Sequence, residues 1–196
     1  MTACPGCGLR HQCLCSLLPS LSSPLSLALL THANELNRPT NSGRWLWKTL
    51  PQCRRFVWSR TAPPAELLDW IQQDDYQPLV LFPAPDSLPL TTETLSRTAQ
   101  KQPRFIVLDA TWQEAAKMWR QSPWLRKVQA VRLETAPPSG YTLRRNQQPG
   151  NLCTLEVACE LLRLQNQPHQ AEQLTTFFHH YMRAYQADKS GHRLKQ

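Results

Sequence analysis

The sequence predicts an α/β fold, a mostly parallel sheet with flanking helices, and three observations carry that expectation. Short apolar runs at 25–31, 79–82 and 105–108, the last β-branched at its centre, have the length of strands buried on both faces, which suits a parallel sheet. Segments with helical periodicity lie between them, so strand and helix alternate. The runs also stop at polar or proline-rich corners, and in open α/β sheets ligands bind in the crevice beyond the carboxyl ends of the strands.

The stretch 104–120, RFIVLDATWQEAAKMWR, organises the rest. Phe105, Ile106, Val107 and Leu108 form the strand, Asp109 ends it, and Ala115, Met118 and Trp119 follow at the i, i+3, i+4 spacing of one buried helix face. Gln113, Glu114, Lys117 and Arg120 can face water. Asp109, Thr111 and Trp112 therefore stand at the rim of an expected site. Either Asp109 or Thr111 could instead be an ordinary helix cap.

From the amino terminus, Cys4-x-x-Cys7 and Cys13-x-Cys15 place four thiols within twelve positions, with Pro5, Gly6 and Gly8 to turn the chain. Such spacing satisfies a tetrahedral Zn²⁺, and His11 could replace one thiol. A site closed by four ligands is structural, and the short segment 1–18 would draw its folding energy from the metal. Residues 25–31 read as an early central strand, with His32 to Glu35 at its carboxyl end. A polar loop over 37–43 leads into a helix at 44–50, where Leu46 and Leu50 share a face and Asn41 or Ser42 is a plausible cap. Glycine is unfavourable at a helix start, so Gly43 points to a close approach of backbone to something else.

Residues 56–58 read as a short strand, and Pro63-Pro64 open a helix through Ile71. The strand at 79–82 is stopped by Pro83-Ala84-Pro85, and 91–100 reads as a helix with a threonine cap. Beyond the organising helix, 128–133 is a further strand and 137–150 a polar loop carrying Arg144 and Arg145. Paired arginines suit bidentate recognition of phosphate or carboxylate, although a solvated loop explains these residues alone somewhat better. Thr154 to Leu164 reads as a helix capped by Thr154, with Glu156 in its first turn. Leu174, Phe177, Phe178, Tyr181, Met182 and Tyr185 mark a docking helix, and the basic tail 189–196 is expected to fray. Cys153 and Cys159 read as core or near-core thiols and Cys53 is isolated, so none of the three is a convincing nucleophile. The expected division is 1–18 for the zinc segment, 19–188 for the catalytic domain and 189–196 for the tail.

Composition narrows the function. The chain has 196 residues, enough for one substantial core, with 22 Lys and Arg against 14 Asp and Glu, a formal charge of +8. That balance favours a polyanionic partner. No run of about 18 apolar residues suggests a membrane span, and the first residues do not resemble a secretion signal, so a cytoplasmic protein with reduced cysteines is expected. The six glycines form neither G-x-G-x-x-G nor a Walker loop, which removes the usual signs of a Rossmann dinucleotide site or a P-loop.

Taken together, Asp109-x-Thr111-Trp112 after an apolar strand, Glu35 followed by Asn41-Ser42-Gly43, the Pro83 strand end, Ser122-Pro123, Cys153-Thr154-Leu155-Glu156 and the four-cysteine amino terminus resemble the DTW-domain family. Ser42 and Cys153 stand where the family often has Thr and Ser. The resemblance implies a SPOUT-like fold with a knotted cofactor site. It further implies transfer of the 3-amino-3-carboxypropyl group of S-adenosylmethionine to N3 of a tRNA uridine, in bacteria one in the variable loop. On that basis Asp109 is the expected base. Glu35, Asn41, Ser42, Gly43, Pro83, Thr111, Trp112 and Thr154 are expected at the cofactor, and Arg144, Arg145 and Lys117 at the cofactor carboxylate or the RNA. Cys4, Cys7, Cys13 and Cys15 would hold zinc, and no obligate protein partner is expected. The rival readings are a SPOUT-type RNA methyltransferase, the same transfer to ribosomal RNA, and a non-catalytic zinc-containing RNA-binding module.

Overall fold

The structure is a computed structural model that describes residues 2–97, 100–134, 138–143 and 151–195. Its strands are β1 (Ser26–Thr31), β2 (Cys53–Val57), β3 (Tyr76–Leu81), β4 (Leu88–Leu90), β5 (Gln102–Asp109) and β6 (Gln129–Leu133). Its helices are α1 (Leu46–Thr49), α2 (Ala65–Ile71), α3 (Thr92–Arg97), α4 (Trp112–Gln121), α5 (Thr154–Leu164) and α6 (Pro168–Lys189). The strands form one sheet in the order β2-β1-β5-β3-β6-β4, with every neighbouring pair parallel. The α/β expectation is met, and the sheet is parallel throughout.

Alternation along the inner strands splits the interior into two cores. Leu27, Leu29, Phe105, Val107 and Leu79 point to the side of α1, α5 and α6, while Ala28, Leu30, Ile106, Leu108 and Val80 point to the side of α2 and α4. Both faces of β1 and the inner part of β5 are buried, which is why these strands read as unbroken apolar runs. Asp109 continues the odd-numbered series of β5 and so belongs to the α5 and α6 side, as Thr31 does on β1.

Several boundaries differ from the sequence reading for identifiable reasons. Thr111, not Asp109, caps α4: its side chain accepts from the Glu114 N–H, and the Glu114 carboxylate accepts from the Thr111 N–H. The helix expected at 44–50 starts as a 3-10 turn over Gly43–Trp45 before α1. Strand β2 starts at Cys53, three residues earlier than expected. The unforeseen strand β4 contains Pro89 and lies on the outside of the sheet, where a residue without an N–H is tolerated. Cys153 rather than Thr154 is the N-cap of α5, with the Glu156 carboxylate accepting from the Cys153 N–H at 2.8 Å.

The described part of the tail, 189–195, is tied down rather than frayed. Arg193 Nε donates to the His11 carbonyl at 2.8 Å, and the Leu194 N–H donates to Gln12 Oε1 at 3.1 Å. The cysteine segment is fastened to the main body too: Cys7, Leu9 and Leu14 belong to the α5/α6-side core. Among the described residues no helix is long and apolar enough to cross a membrane. Phe105, fully buried on the central strand, gives a direct check of this layering. Phe105→Ala is expected to lower unfolding free energy by about 3–5 kcal/mol in denaturant titration, whereas a loss below about 1 kcal/mol would mean that the site collapses freely.

Candidate active site

Beyond the carboxyl ends of β3 and β5 the chain leaves a cleft of about 520 Å³, within the size range of small-molecule sites. Leu81, Phe82 and Pro83 supply one wall, Val107 to Thr111 the floor, and Asn151 to Thr154 with Val157 the other wall. Asn41, Ser42, Trp112, Gln113, Ala115 and Tyr141 complete it. Among the described lining residues none is Lys or Arg.

Asp109 is the chemical centre. Only 2% of it is exposed, and three side chains donate to its carboxylate. Thr31 Oγ1 reaches Oδ2 at 3.1 Å, Thr154 Oγ1 reaches Oδ1 at 2.9 Å, and Asn41 Nδ2 straddles both oxygens at 3.1 and 3.0 Å. Burial pushes the carboxyl above the usual aspartate range; the three donors pull it back and the neighbouring Glu35 charge pushes it further up. Gly43 explains itself here. A Cβ at that position would stand 2.6 Å from Asp109 Oδ1, so the close backbone approach inferred from a glycine at a helix start is an approach to this carboxylate.

The expected site residues divide into those on the cleft and those behind it. Asn41, Ser42, Pro83, Asp109, Thr111, Trp112 and Thr154 line it, with Trp112 40% exposed. Glu35 and Gly43 do not line it. Glu35 is 1% exposed and sits behind Asn41, with Oε2 accepting from Asn41 Nδ2 at 3.1 Å and Oε1 from Arg38 at 2.6 Å. Asn41 also caps the 3-10 turn, its Oδ1 accepting from the Arg44 N–H at 2.7 Å. The capping and the functional readings of Asn41 therefore coexist in one side chain. Ser42 accepts from the Leu155 N–H at 3.3 Å and joins the loop to α5. Lys117 is exposed on α4. Arg144 and Arg145 lie outside the described residues.

Sequence reasoning missed the groups that orient these. Thr31 was legible only as the last residue of an apolar run, yet register places it directly opposite Asp109. Tyr181 donates to the Pro39 carbonyl at 3.1 Å and Tyr141 to that of Thr40, which clamps the 37–43 loop against α6. Glu114 accepts from Asn34 at 2.8 Å and from the Thr111 hydroxyl at 2.7 Å. Burial would raise its pKa, but these donors and nearby His32 bring it down to about 2. Ser122 is structural: it accepts from the Trp58 indole at 2.9 Å in the α2/α4-side core.

Cys4, Cys7, Cys13 and Cys15 converge until their sulfurs all lie within 4.8 Å of one another, a spacing that suits one tetrahedrally held ion. A Cβ on Gly6 would come within 2.5 Å of Cys15 Sγ, so the knuckle requires glycine there. His11 is turned away from this cluster toward Asp188, at 3.1 Å. Lys48 Nζ and Arg44 donate to the Gly6 carbonyl at 2.9 and 3.2 Å. The three remaining thiols, Cys53, Cys153 and Cys159, all have their pKa raised by burial and are poor nucleophiles.

Comparison with known proteins bears on this arrangement. A family model described as the DTW domain matches residues 1–186. The tRNA-uridine aminocarboxypropyltransferase 2 of Drosophila melanogaster is 32% identical over 107 residues, which are 54% of this chain and 41% of that protein. The match thus spans less than half the length of that curated relative. No solved structure matches the chain. The family match runs across the cysteine knuckle, the Asn41 loop, the Asp109 corner and α5 alike, and the chain belongs to the DTW-domain family.

Proposed function

We propose that the cleft binds S-adenosylmethionine and a tRNA uridine, and that the protein transfers the 3-amino-3-carboxypropyl group to N3 of that uridine. The observation that carries this reading is the Asp109 carboxylate, buried at the end of β5 and held by Asn41, Thr31 and Thr154 in a cleft whose described walls contain no cation. The Asp109 carboxylate, with no basic residue on the described walls, favours a cationic ligand such as a sulfonium. Leu81, Phe82, Val107, Leu152 and Val157 offer apolar surface for an adenine ring and methylene groups. The amino end of α5 opens on the cleft at Thr154, where its dipole favours a carboxylate. The residues present therefore fit the donor.

When bound, the donor supplies a γ-carbon activated by the adjacent sulfonium, with methylthioadenosine as the leaving group. Asp109 accepts the N3 proton of the uridine, and its upward-shifted pKa brings it closer to the acidity of that weak acid. Asn41, Thr31 and Thr154 fix the orientation of the carboxylate at the end of β5. Trp112, exposed at the rim, stacks on the uracil or the adenine. The SPOUT-like, knotted arrangement belongs to the same reading; it is supported by the absence of a glycine fingerprint and by the return of the chain at 151–154 beside Ser42 and Asp109. A variable-loop uridine, a cytoplasmic setting, a structural zinc at Cys4, Cys7, Cys13 and Cys15, and action without an obligate protein partner complete it. The zinc segment 1–18, the catalytic domain 19–188 and the tail 189–196 are its parts.

Incubation with S-adenosylmethionine and unmodified tRNA, followed by mass spectrometry of the nucleosides, should yield 3-(3-amino-3-carboxypropyl)uridine. A methylated nucleoside would favour a methyltransferase instead. Asp109→Asn should bind tRNA and form no product, and the wild type should lose stability relative to this variant as pH rises from the ordinary aspartate range toward 7. The sign follows from linkage: a carboxyl whose folded pKa lies above its unfolded value costs stability once ionised, between those pKa values and above. Product formation at near wild-type rate by this variant would remove Asp109 from the role of base. Metal analysis should find about one zinc per chain, and chelation should lower the Tm; a metal-free sample with an unchanged Tm would refute the structural zinc.

A further inference from the structure

Positive charge is distributed unevenly along the chain. Residues 1–65 contain seven Lys or Arg and a single acidic residue, Glu35, so this third of the chain supplies six of the eight net positive charges. Glu35 is itself buried and paired with Arg38, which leaves that surface without an acidic counterweight of its own.

One exposed aromatic residue lies within this region. Trp47 on α1 is 41% exposed, with the Arg55 guanidinium 5.2 Å and the Lys48 ammonium 5.4 Å from its ring centroid. Contacts of this kind hold the cationic heads in place before any ligand arrives. Arg55 lies on β2, the outer strand on this side of the sheet, and it points to the α1 face with Cys53 and with half-exposed Val57. Arg54, next in sequence, points to the opposite face with Phe56.

Register places this face beside the cleft. Asp109 is opposite Thr31, and Thr31 is opposite Val57, so Val57 is two strand spacings, about 10 Å, from Asp109 at the same level of the sheet. Arg55 is two residues further back, about 12 Å from Asp109. A strand of RNA that delivers a nucleotide to Asp109 would pass within a few nucleotides of Trp47.

We propose that Trp47, Lys48 and Arg55 form a docking surface for single-stranded RNA flanking the modified nucleotide, with one base stacked on Trp47 and phosphates on Arg55 and Lys48. This rests on the reading of the substrate as RNA and adds which face carries it. An exposed indole between ordered cations is the combination that sequence-tolerant single-strand binding uses, stacking for the base and charge for the backbone. Charged residues on an outer strand also discourage sheet-to-sheet pairing. Arg54 meets that need as well as Arg55 does, so it does not account for Trp47 and its two cations on one face.

The test uses the full chain and unmodified tRNA. Trp47→Ala and Arg55→Glu are compared with Arg54→Glu, which makes the same charge change on the other face of the same strand. Binding is followed by fluorescence anisotropy at several salt concentrations, with Tm as the check on folding and S-adenosylmethionine binding by calorimetry as the check on the cleft. Trp47→Ala and Arg55→Glu should each weaken tRNA binding about tenfold, and Arg55→Glu should also flatten the salt dependence by about one phosphate contact. Arg54→Glu should stay within about twofold of wild type, and all three should bind the donor normally. Equal losses for Arg54→Glu and Arg55→Glu would reduce the effect to net charge and overturn the proposal, as would wild-type tRNA affinity in Trp47→Ala and Arg55→Glu. Failure of wild-type protein to modify tRNA that it binds through Trp47 would instead overturn the transferase reading alone.

Discussion

A single amide nitrogen stands between two buried carboxylates. Asn41 Nδ2 donates to Glu35 and to Asp109, groups that are almost wholly withdrawn from water and whose charges repel one another. Leaving such groups unpaired would be costly, and the structure around them is arranged to avoid that. Arg38 neutralises Glu35 from the outer side, while Thr31 and Thr154 complete the donors on Asp109. The compensation is incomplete for Asp109, which is why its proton is held more tightly than an ordinary aspartate would hold it.

That arrangement accounts for much of the fold around it. The donors come from the end of β1, from the 37–43 loop that follows it and from α5, which is distant in sequence, and a parallel sheet brings them to the corner at Asp109. The loop is held by the Tyr141 and Tyr181 hydroxyls, and glycine at position 43 lets its backbone lie against the carboxylate. The knuckle is tied to the loop's far side through Arg44 and Lys48 and to α6 through Asp188, to which the Arg10 and His11 N–H groups donate at 2.7 Å. The amino terminus with its cysteine cluster thereby braces the segment that carries Asn41.

Legibility in the sequence followed how local each feature is. β5, α4 and the corner at Asp109 could be read because burial on both faces and helical spacing are properties of a single stretch. Gly43 could be read as a close approach, since helix propensity disfavours it, but not as an approach to Asp109, which is distant in sequence. Thr31 looked like the end of an apolar run because its function depends on register with β5. Glu35 looked like a ligand contact for a similar reason: nothing in the sequence shows that Asn41 stands between it and the cleft. β4 was invisible because three residues centred on proline carry no strand signal, and only its outer position makes them acceptable there.

Burial and the Glu35 charge hold the Asp109 carboxyl above the ordinary aspartate range, and the chemistry of the site depends on that upward shift. Its most direct test is an NMR titration of protein carrying ¹³C-labelled aspartate carboxyl groups, with the Asp109 resonance assigned by its disappearance in Asp109→Asn. One aspartate resonance, lost in that variant, should titrate well above the others. A titration of Asp109 at or below the ordinary aspartate midpoint would show that the three donors overcome burial, and would contradict the claim.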